Sequence, residues 1–283
     1  MKSAPVGVVT KSDSAFFPGV IALLRSLQST NPDIPIVVFD AGMTEPQAAR
    51  LEAMGAAVLP LRNRFVPRAE TVLGTHYNAS IFALMEFSCI PFETIVHLDA
   101  DIVVLGSLAP LATLPGGCDF AGVYDFPALS LADNIGDKSQ QVLACDLLAI
   151  SREQMFAPAF NAGIFAISKV AYERILPVMT RIYDTPLLLP RRDQTLLNAA
   201  IAMAGLRVAE PLPVHYNFRH RFRRAEHVRW DVVERHGDML VPRFEGELVK
   251  IVHFIGPDKP WHGSFAEYPE ALSVWSQFYG VGA

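Results

Sequence analysis

Residues 96–103 read V-H-L-D-A-D-I-V. Two carboxylates, Asp99 and Asp101, sit one residue apart in an apolar, β-branched stretch that runs from Ile95 to Leu105. A strand of that composition belongs inside a parallel sheet, where an unpaired carboxylate is costly. Strand side chains repeat every two residues, so both acids are expected to point the same way. They fall where a strand over residues 94–98 should end, and open α/β sheets bind ligands beyond the carboxyl ends of their strands. A divalent cation, Mn²⁺ or Mg²⁺, held by such carboxylates together with substrate phosphates, would supply the missing counter-charge. The plain alternative is a turn acid beside a surface acid, and D-x-D alone does not decide.

Outward from this motif the chain alternates between strand-like and helix-like segments. Residues 6–10 (VGVVT), 34–39 (IPIVVF) and 56–60 (AAVLP) read as strands, and 18–29 and 45–54 as helices. Thr44 is expected to cap the second helix, with Pro46 in its first turn. A helix is expected over 80–88, then the strand that carries the motif. Further on, 160–168 (FNAGIFAIS) and 248–254 (LVKIVHF) read as strands, 170–183 and 192–204 as helices, and 125–159 as irregular. This rhythm predicts an α/β fold of βαβ units around a mainly parallel sheet with helices on both faces. One domain over 1–283 is expected, with a nucleotide-binding half (1–105) and a second half (106–283).

The composition narrows the partners. The chain has 283 residues, 51% of them hydrophobic, and a net charge of −5. This allows a large core and does not favour nucleic acid, so an anionic ligand must be held by local charge. No apolar run reaches the roughly 18–20 residues that span a bilayer, and the start lacks a signal-peptide pattern. Three cysteines, Cys89, Cys118 and Cys145, follow neither a zinc nor a disulfide spacing and read as buried thiols in a reducing cytoplasm. The apolar residues of the tail, Leu272, Trp275, Phe278 and Tyr279, are expected to dock on the core.

Two metal chemistries use a strand-end D-x-D. The segment DADIV matches the D-x-D-x-[TV] of haloacid-dehalogenase-like phosphatases, in which the first Asp would accept a phosphoryl group. In nucleotide-sugar transferases the pair holds a metal that bridges the donor diphosphate. The phosphatase motif usually sits on the first strand, whereas at least three strands precede it here. Residues 251–261, IVHFIGPDKPW, favour the transferase. A strand delivers His253 as a third ligand, Gly256 permits a tight backbone approach, and Lys259 offers a point charge to phosphate oxygens.

With these residues in place the chain resembles glycosyltransferase family 8, the family of glycogenin and the bacterial lipooligosaccharide galactosyltransferases. The resemblance rests on HLDAD (97–101), FNAGIF (160–165), DQTLLN (193–198), LPVHYNF (212–218) and HFIGPDKPW (253–261), in the family's order. It implies a GT-A fold and a Mn²⁺-dependent hexosyltransferase using a UDP-sugar, UDP-glucose or UDP-galactose, with retention at the anomeric carbon. By resemblance, Asp99, Asp101 and His253 hold the metal, while Ala100, Gly256 and Lys259 sit with them at the nucleotide. Thr10, Ser12, Asp13 and Phe16 meet uracil and ribose. Asn161, Ala162, Gly163, Asp193 and Gln194 face the donor sugar. Asn161, Asp193 and Gln194 are the catalytic candidates, first as positioning groups. The sequence leaves open both double displacement and front-face attack.

One departure stands out. The family usually carries an Arg or Lys on the helix before the D-x-D strand, yet this chain has neither between Arg68 and Lys138; the matching HYNASIFALMEF offers only Asn78 and Ser80 as nearby polar groups. A non-enzymatic sugar-nucleotide-binding relative is therefore a second reading. The cluster Arg219, His220, Arg221, Arg223, Arg224, His227 and Arg229 reads as a solvated loop, or else as a contact for an anionic saccharide or a peripheral membrane surface. The saccharide acceptor is not specified.

Overall fold

The computed structural model describes residues 4–62, 75–125, 128–185, 191–219, 233–262 and 268–280, with only the backbone of 75–79. In chain order the elements begin β1 (Ala4–Ser12), α1 (Phe17–Thr30), β2 (Ile36–Asp40), α2 (Glu45–Ala53), β3 (Ala57–Pro60), α3 (Thr75–Met85), β4 (Phe92–Leu98) and β5 (Ile102–Val104). The middle holds α4 (Ala109–Ala112), β6 (Phe120–Tyr124), α5 (Leu131–Ile135), α6 (Lys138–Leu148), α7 (Arg152–Met155), β7 (Phe160–Ser168), α8 (Lys169–Tyr183) and α9 (Asp193–Ala204). The last are β8 (Phe218–Arg219), β9 (Val233–His236), β10 (Met239–Phe244), β11 (Glu247–Leu248), β12 (Ile251–His253) and α10 (Pro269–Tyr279).

The central sheet has the order β3-β2-β1-β4-β7-β6 and is mixed. β1 and β2 run parallel, whereas β6 and β7 run antiparallel. Two three-stranded sheets, β5-β12-β8 and β11-β10-β9, complete the strands of the described residues. The α/β expectation holds, with the antiparallel pair as an addition that the first-half rhythm did not announce.

The chain divides into two compact units interleaved in sequence. One comprises Met1–Gly7, Pro60–His97 and Pro110–Leu212; the other comprises Val8–Leu59, Leu98–Ala109 and Pro213–Ala283. In the first, β7 is buried from Phe160 to Ile167, and α8 turns Tyr172, Ile175, Met179 and Ile182 inward. Lys169 opens α8 and donates to the carbonyls of Phe87, Ser88 and Ile90 at 2.8, 2.7 and 3.0 Å, satisfying a turn that would otherwise leave acceptors unpaired.

In the second unit α1 buries Val20, Ile21, Leu23, Leu24 and Leu27, and Pro18 in its first turn needs no N–H partner. The tail docks as expected. Trp275 and Phe278 of α10 join Val103, Phe218, Val252 and Phe254 in one apolar cluster, with Leu272 and Tyr279 against it. Arg25 of α1 donates to the last carbonyls of α10, those of Phe278 and Tyr279, both at 2.9 Å. On α2, Gln47 Oε1 accepts the Thr44 N–H at 2.9 Å, so the helix starts where its cap predicted.

Several expectations need correction. Residues 125–159 are not irregular: they carry α5, α6 and α7, capped by Ser130, Asp137 and Ser151. The polar turn formers of that stretch are helix N-caps, whose oxygens satisfy first-turn N–H groups. The helix expected over 80–88 lies at Thr75–Met85 and gives way to a short 3-10 turn at Phe87–Cys89. The strand expected over 248–254 is two strands, β11 and β12. The cysteines are unpaired but not buried: Cys89 is exposed, and Cys118 and Cys145 are partly so. Arg219 lies buried in β8 rather than in a solvated loop, and the rest of its basic cluster, residues 220–229, lies outside the described residues.

Candidate active site

The motif VHLDADIV is not one strand. β4 ends at Leu98 in the central sheet, Asp99–Asp101 form a turn, and β5 resumes in a different sheet, antiparallel to β12. A turn releases the two aspartates from strict alternation, so they reach one spot together with the residue that β12 delivers. His253 pairs with Ile102 in the β5–β12 register, one residue beyond Asp101, and the Phe254 N–H donates to the Asp101 carbonyl at 2.9 Å.

One ligand atom each from Asp99, Asp101 and His253 lies within 4.8 Å of the others. His253 Nε2 is 3.3 Å from Asp101 Oδ1 and 3.9 Å from Asp99 Oδ2. The other ring nitrogen, Nδ1, sits 3.0 Å from Asn217 Oδ1. A carbonyl oxygen only accepts, so Nδ1 donates to Asn217 Oδ1, and this turns Nε2 toward the two carboxylates. Two carboxylate oxygens and an oriented imidazole nitrogen suit a divalent cation such as Mn²⁺ or Mg²⁺.

Two ammonium groups complete the cluster. Lys259 Nζ donates to Asp101 Oδ2 and, at 2.8 Å, to the Phe254 carbonyl. Lys11, from the end of β1, donates to Asp99 Oδ1 at 2.9 Å. Both lysines are 5% exposed. Burial alone pushes the Asp101 carboxyl up, but the Lys259 ammonium and then His253 outweigh it and hold the group well below the usual carboxylate range. Lys259 is thus placed on Asp101 itself.

The surroundings hold this geometry. Gly19 of α1 faces the Asp99–Asp101 turn so closely that a Cβ there would lie 2.5 Å from the Ala100 carbonyl oxygen and 2.7 Å from the Trp261 ring. Gly256 sits at φ 88°, a conformation that favours glycine, so the backbone turns tightly between His253 and Lys259. Phe16 meets Trp261 edge-on at 5.6 Å, and Lys259 Nζ lies 5.4 Å from the centre of its ring. Asp13 Oδ1 accepts the Phe16 N–H at 2.9 Å and shapes the turn into α1. Ser12 is buried, with its hydroxyl on the Asp13 carbonyl at 3.0 Å, and the buried Thr10 hydroxyl has no hydrogen-bond partner among the described residues.

The donor-sugar candidates form a second polar cluster, in the other compact unit. Gln194, in the first turn of α9, accepts from Asn161 Nδ2 at 3.2 Å and from the Ala162 N–H at 3.4 Å. Asn161 Oδ1 accepts the Gly163 N–H at 3.1 Å. Gln194 Nε2 donates to Asp125 Oδ2 at 2.5 Å and to Asn134 Oδ1 at 3.3 Å, and Arg191 reaches the same Asp125 oxygen at 2.7 Å. Asn198 fixes the strand beside them by bridging the Phe160 N–H and carbonyl at 2.8 and 2.9 Å. Asp193 occupies the first position of α9, where the helix dipole favours an acid.

Sequence reasoning missed Lys11, Asp125 and Arg191. A lone lysine in the apolar strand VVTKS is itself a signal, because a buried ammonium needs a carboxylate. Asp125 follows β6 as Asp99 follows β4, but that strand had not been recognised.

The glycosyl transferase family 8 model matches residues 7–264. The chain belongs to glycosyltransferase family 8. No curated protein matches the sequence. Among solved structures, the galactosyltransferase LgtC in complex with donor and acceptor sugar analogues aligns at a TM-score of 0.62 and 18% identity, over 97% of this chain and 95% of its own. GlyE, a glycosyltransferase of Streptococcus pneumoniae TIGR4, aligns at 0.60 and 16%, over 99% of this chain and 63% of its own. Mouse xyloside xylosyltransferase 1 aligns at 0.51 and 13%, over 88% of this chain and 97% of its own. At these identities the likeness shows the fold, which is consistent with GT-A. Family 8 membership displaces the phosphatase reading of DADIV, and this D-x-D follows the fourth strand among the described residues rather than the first. No helix of the described residues is long and apolar enough to cross a membrane.

Proposed function

We propose that this glycosyltransferase moves a hexose from a UDP-sugar, UDP-glucose or UDP-galactose, to a saccharide acceptor, with a divalent cation, Mn²⁺ by preference, and with retention at the anomeric carbon. The observation that carries the reading is the convergence of Asp99, Asp101 and His253 on one point beside a buried lysine. Asp99, Asp101 and His253 would hold the cation, which when bound stabilises negative charge on a departing diphosphate. The chain's own part is electrostatic. Lys259 places a fixed ammonium at the leaving group, and at ~4 Å and an effective dielectric of ~20 one such charge pair is worth about 4 kcal/mol before desolvation.

We assign uracil and ribose to the turn that holds Thr10, Ser12, Asp13 and Phe16, of which Asp13 and Phe16 are partly exposed. Ala100 and Gly256 bring backbone close to the nucleotide. Asn161, the Ala162–Gly163 backbone, Asp193 and Gln194 orient the donor sugar. Gln194 is tied on both sides, to Asn161 and to Asp125, which suits a group that positions hydroxyls more than one that attacks carbon. Unpaired thiols suit a reducing compartment, and we place the protein in the cytoplasm.

The test is a panel of UDP-sugars with Mn²⁺, read by calorimetry and by release of UDP. One UDP-hexose should bind and be hydrolysed slowly without an acceptor, and Asp101→Asn should abolish both. Binding of no UDP-sugar would end the proposal. Tight binding with no sugar release in the presence of any saccharide would favour the non-enzymatic reading instead.

A further inference from the structure

β1 is apolar and fully buried at Val8 and Val9, yet its last residue but one is a lysine as buried as a core residue. Lys11 Nζ lies 2.9 Å from Asp99 Oδ1, with side-chain exposures of 6% and 26%. Lys259 holds Asp101 in the same way. Each carboxylate of the acidic pair therefore already faces an ammonium group. The two lysines reach the pair from different elements. Lys259 is also anchored on the Phe254 carbonyl and comes from the same segment as His253, whereas Lys11 comes from β1, just before the 13–16 turn.

A cation on Asp99 must share that carboxylate with an ammonium, and like charges in a poorly solvated site repel strongly. The negative charge of a diphosphate removes the conflict, since it can face the ammonium and the cation together. We propose that Lys11 is the resident counter-ion of Asp99 and makes cation binding conditional on nucleotide: the cation alone is held weakly, and the cation with a nucleoside diphosphate tightly. Lys11 is then a positioning residue that keeps the aspartates paired and in place until the donor binds, and turns to the diphosphate when it does. This inference rests on the metal and UDP-sugar reading above.

Free Mn²⁺ measured by electron paramagnetic resonance tests it without reference to turnover. In the wild-type protein, UDP should tighten Mn²⁺ binding at least tenfold. Lys11→Met and Lys11→Gln should bind Mn²⁺ alone about tenfold more tightly than wild type and should lose most of the response to UDP. Lys11→Arg, which keeps the charge, should follow wild type. Equal affinity for Mn²⁺ alone in wild type and the neutral variants overturns the proposal, as does a Lys11→Arg protein that behaves like them. Should the neutral variants not fold, a wild-type protein whose Mn²⁺ affinity ignores UDP overturns it equally. Loss of Mn²⁺ binding by every protein, with and without UDP, would sink the metal reading as well, which separates that failure from failure of the Lys11 role alone.

Discussion

Asp101 is held at both of its carboxylate oxygens, one facing His253 and the other Lys259, while its backbone carbonyl ties to Phe254. A group so completely engaged transmits small errors in its neighbours. Asn217 is the clearest such neighbour, because its Oδ1 fixes which nitrogen of His253 is presented. Asn217→Ala should weaken Mn²⁺ binding by about 10–100-fold, the usual cost of removing an orienting partner, with the fold retained by circular dichroism. An unchanged affinity would show that the imidazole is held in some other way. At this scale the sequence was readable where a residue type and its place coincide: acids at a strand end, a histidine at the end of another strand, a lysine past a glycine. It was unreadable where a partner is distant, as Lys11 is 88 residues from Asp99 and Arg191 is 66 from Asp125.

Helix α1 meets the Asp99–Asp101 turn through Gly19, and no larger residue fits at that point. The atom in the way of a Cβ is the Ala100 carbonyl oxygen, part of the backbone, so the turn itself must move. Gly19→Ala should cost roughly 1–3 kcal/mol in urea unfolding through overpacking, although alanine is the better helix former, and should weaken Mn²⁺ binding in parallel. A stabilised variant with intact Mn²⁺ binding would contradict the close packing. Of the elements that sequence patterns found, β1, α1 and β7 are long and strongly patterned. Of those missed, α5, α7 and β8 have five, four and two residues, too few for a period to show, whereas α6 has eleven but buries only Ala144 and Leu148, so its apolar face is faint. Their caps, Ser130 and Ser151, were visible as turn formers but not distinguishable from loop residues without the helices behind them.

Across the molecule, stability under acid will depend on carboxylates that the fold has already paired. Asp119 is an informative case outside the candidate site. Its Oδ2 accepts the Arg207 N–H at 2.9 Å and faces the Arg174 guanidinium at 3.3 Å. The Arg207 N–H, opposed by partial burial and aided by the Arg207 and Arg174 guanidinium groups, lowers the carboxyl below its ordinary value. A depressed folded value means stability that is present above about pH 4 and lost as pH falls through that lowered value. Asp119→Asn should therefore be less stable than wild type at pH 7, and the gap should shrink as both are titrated toward pH 3. A gap that stays constant would mean that the ionised form contributes nothing.

The tie from Lys259 to Asp101 spans 158 residues of chain. At a synthesis rate of about 5–20 residues per second, a ribosome needs roughly 8–30 s to pass from one to the other. For most of that interval the nascent chain carries the acidic pair without the full set of Asn217, His253 and Lys259 to enclose it. The candidate metal site is thus a late product of translation, completed by residues 217–259, and a chain released before them would carry the D-x-D motif without the neighbours that hold it.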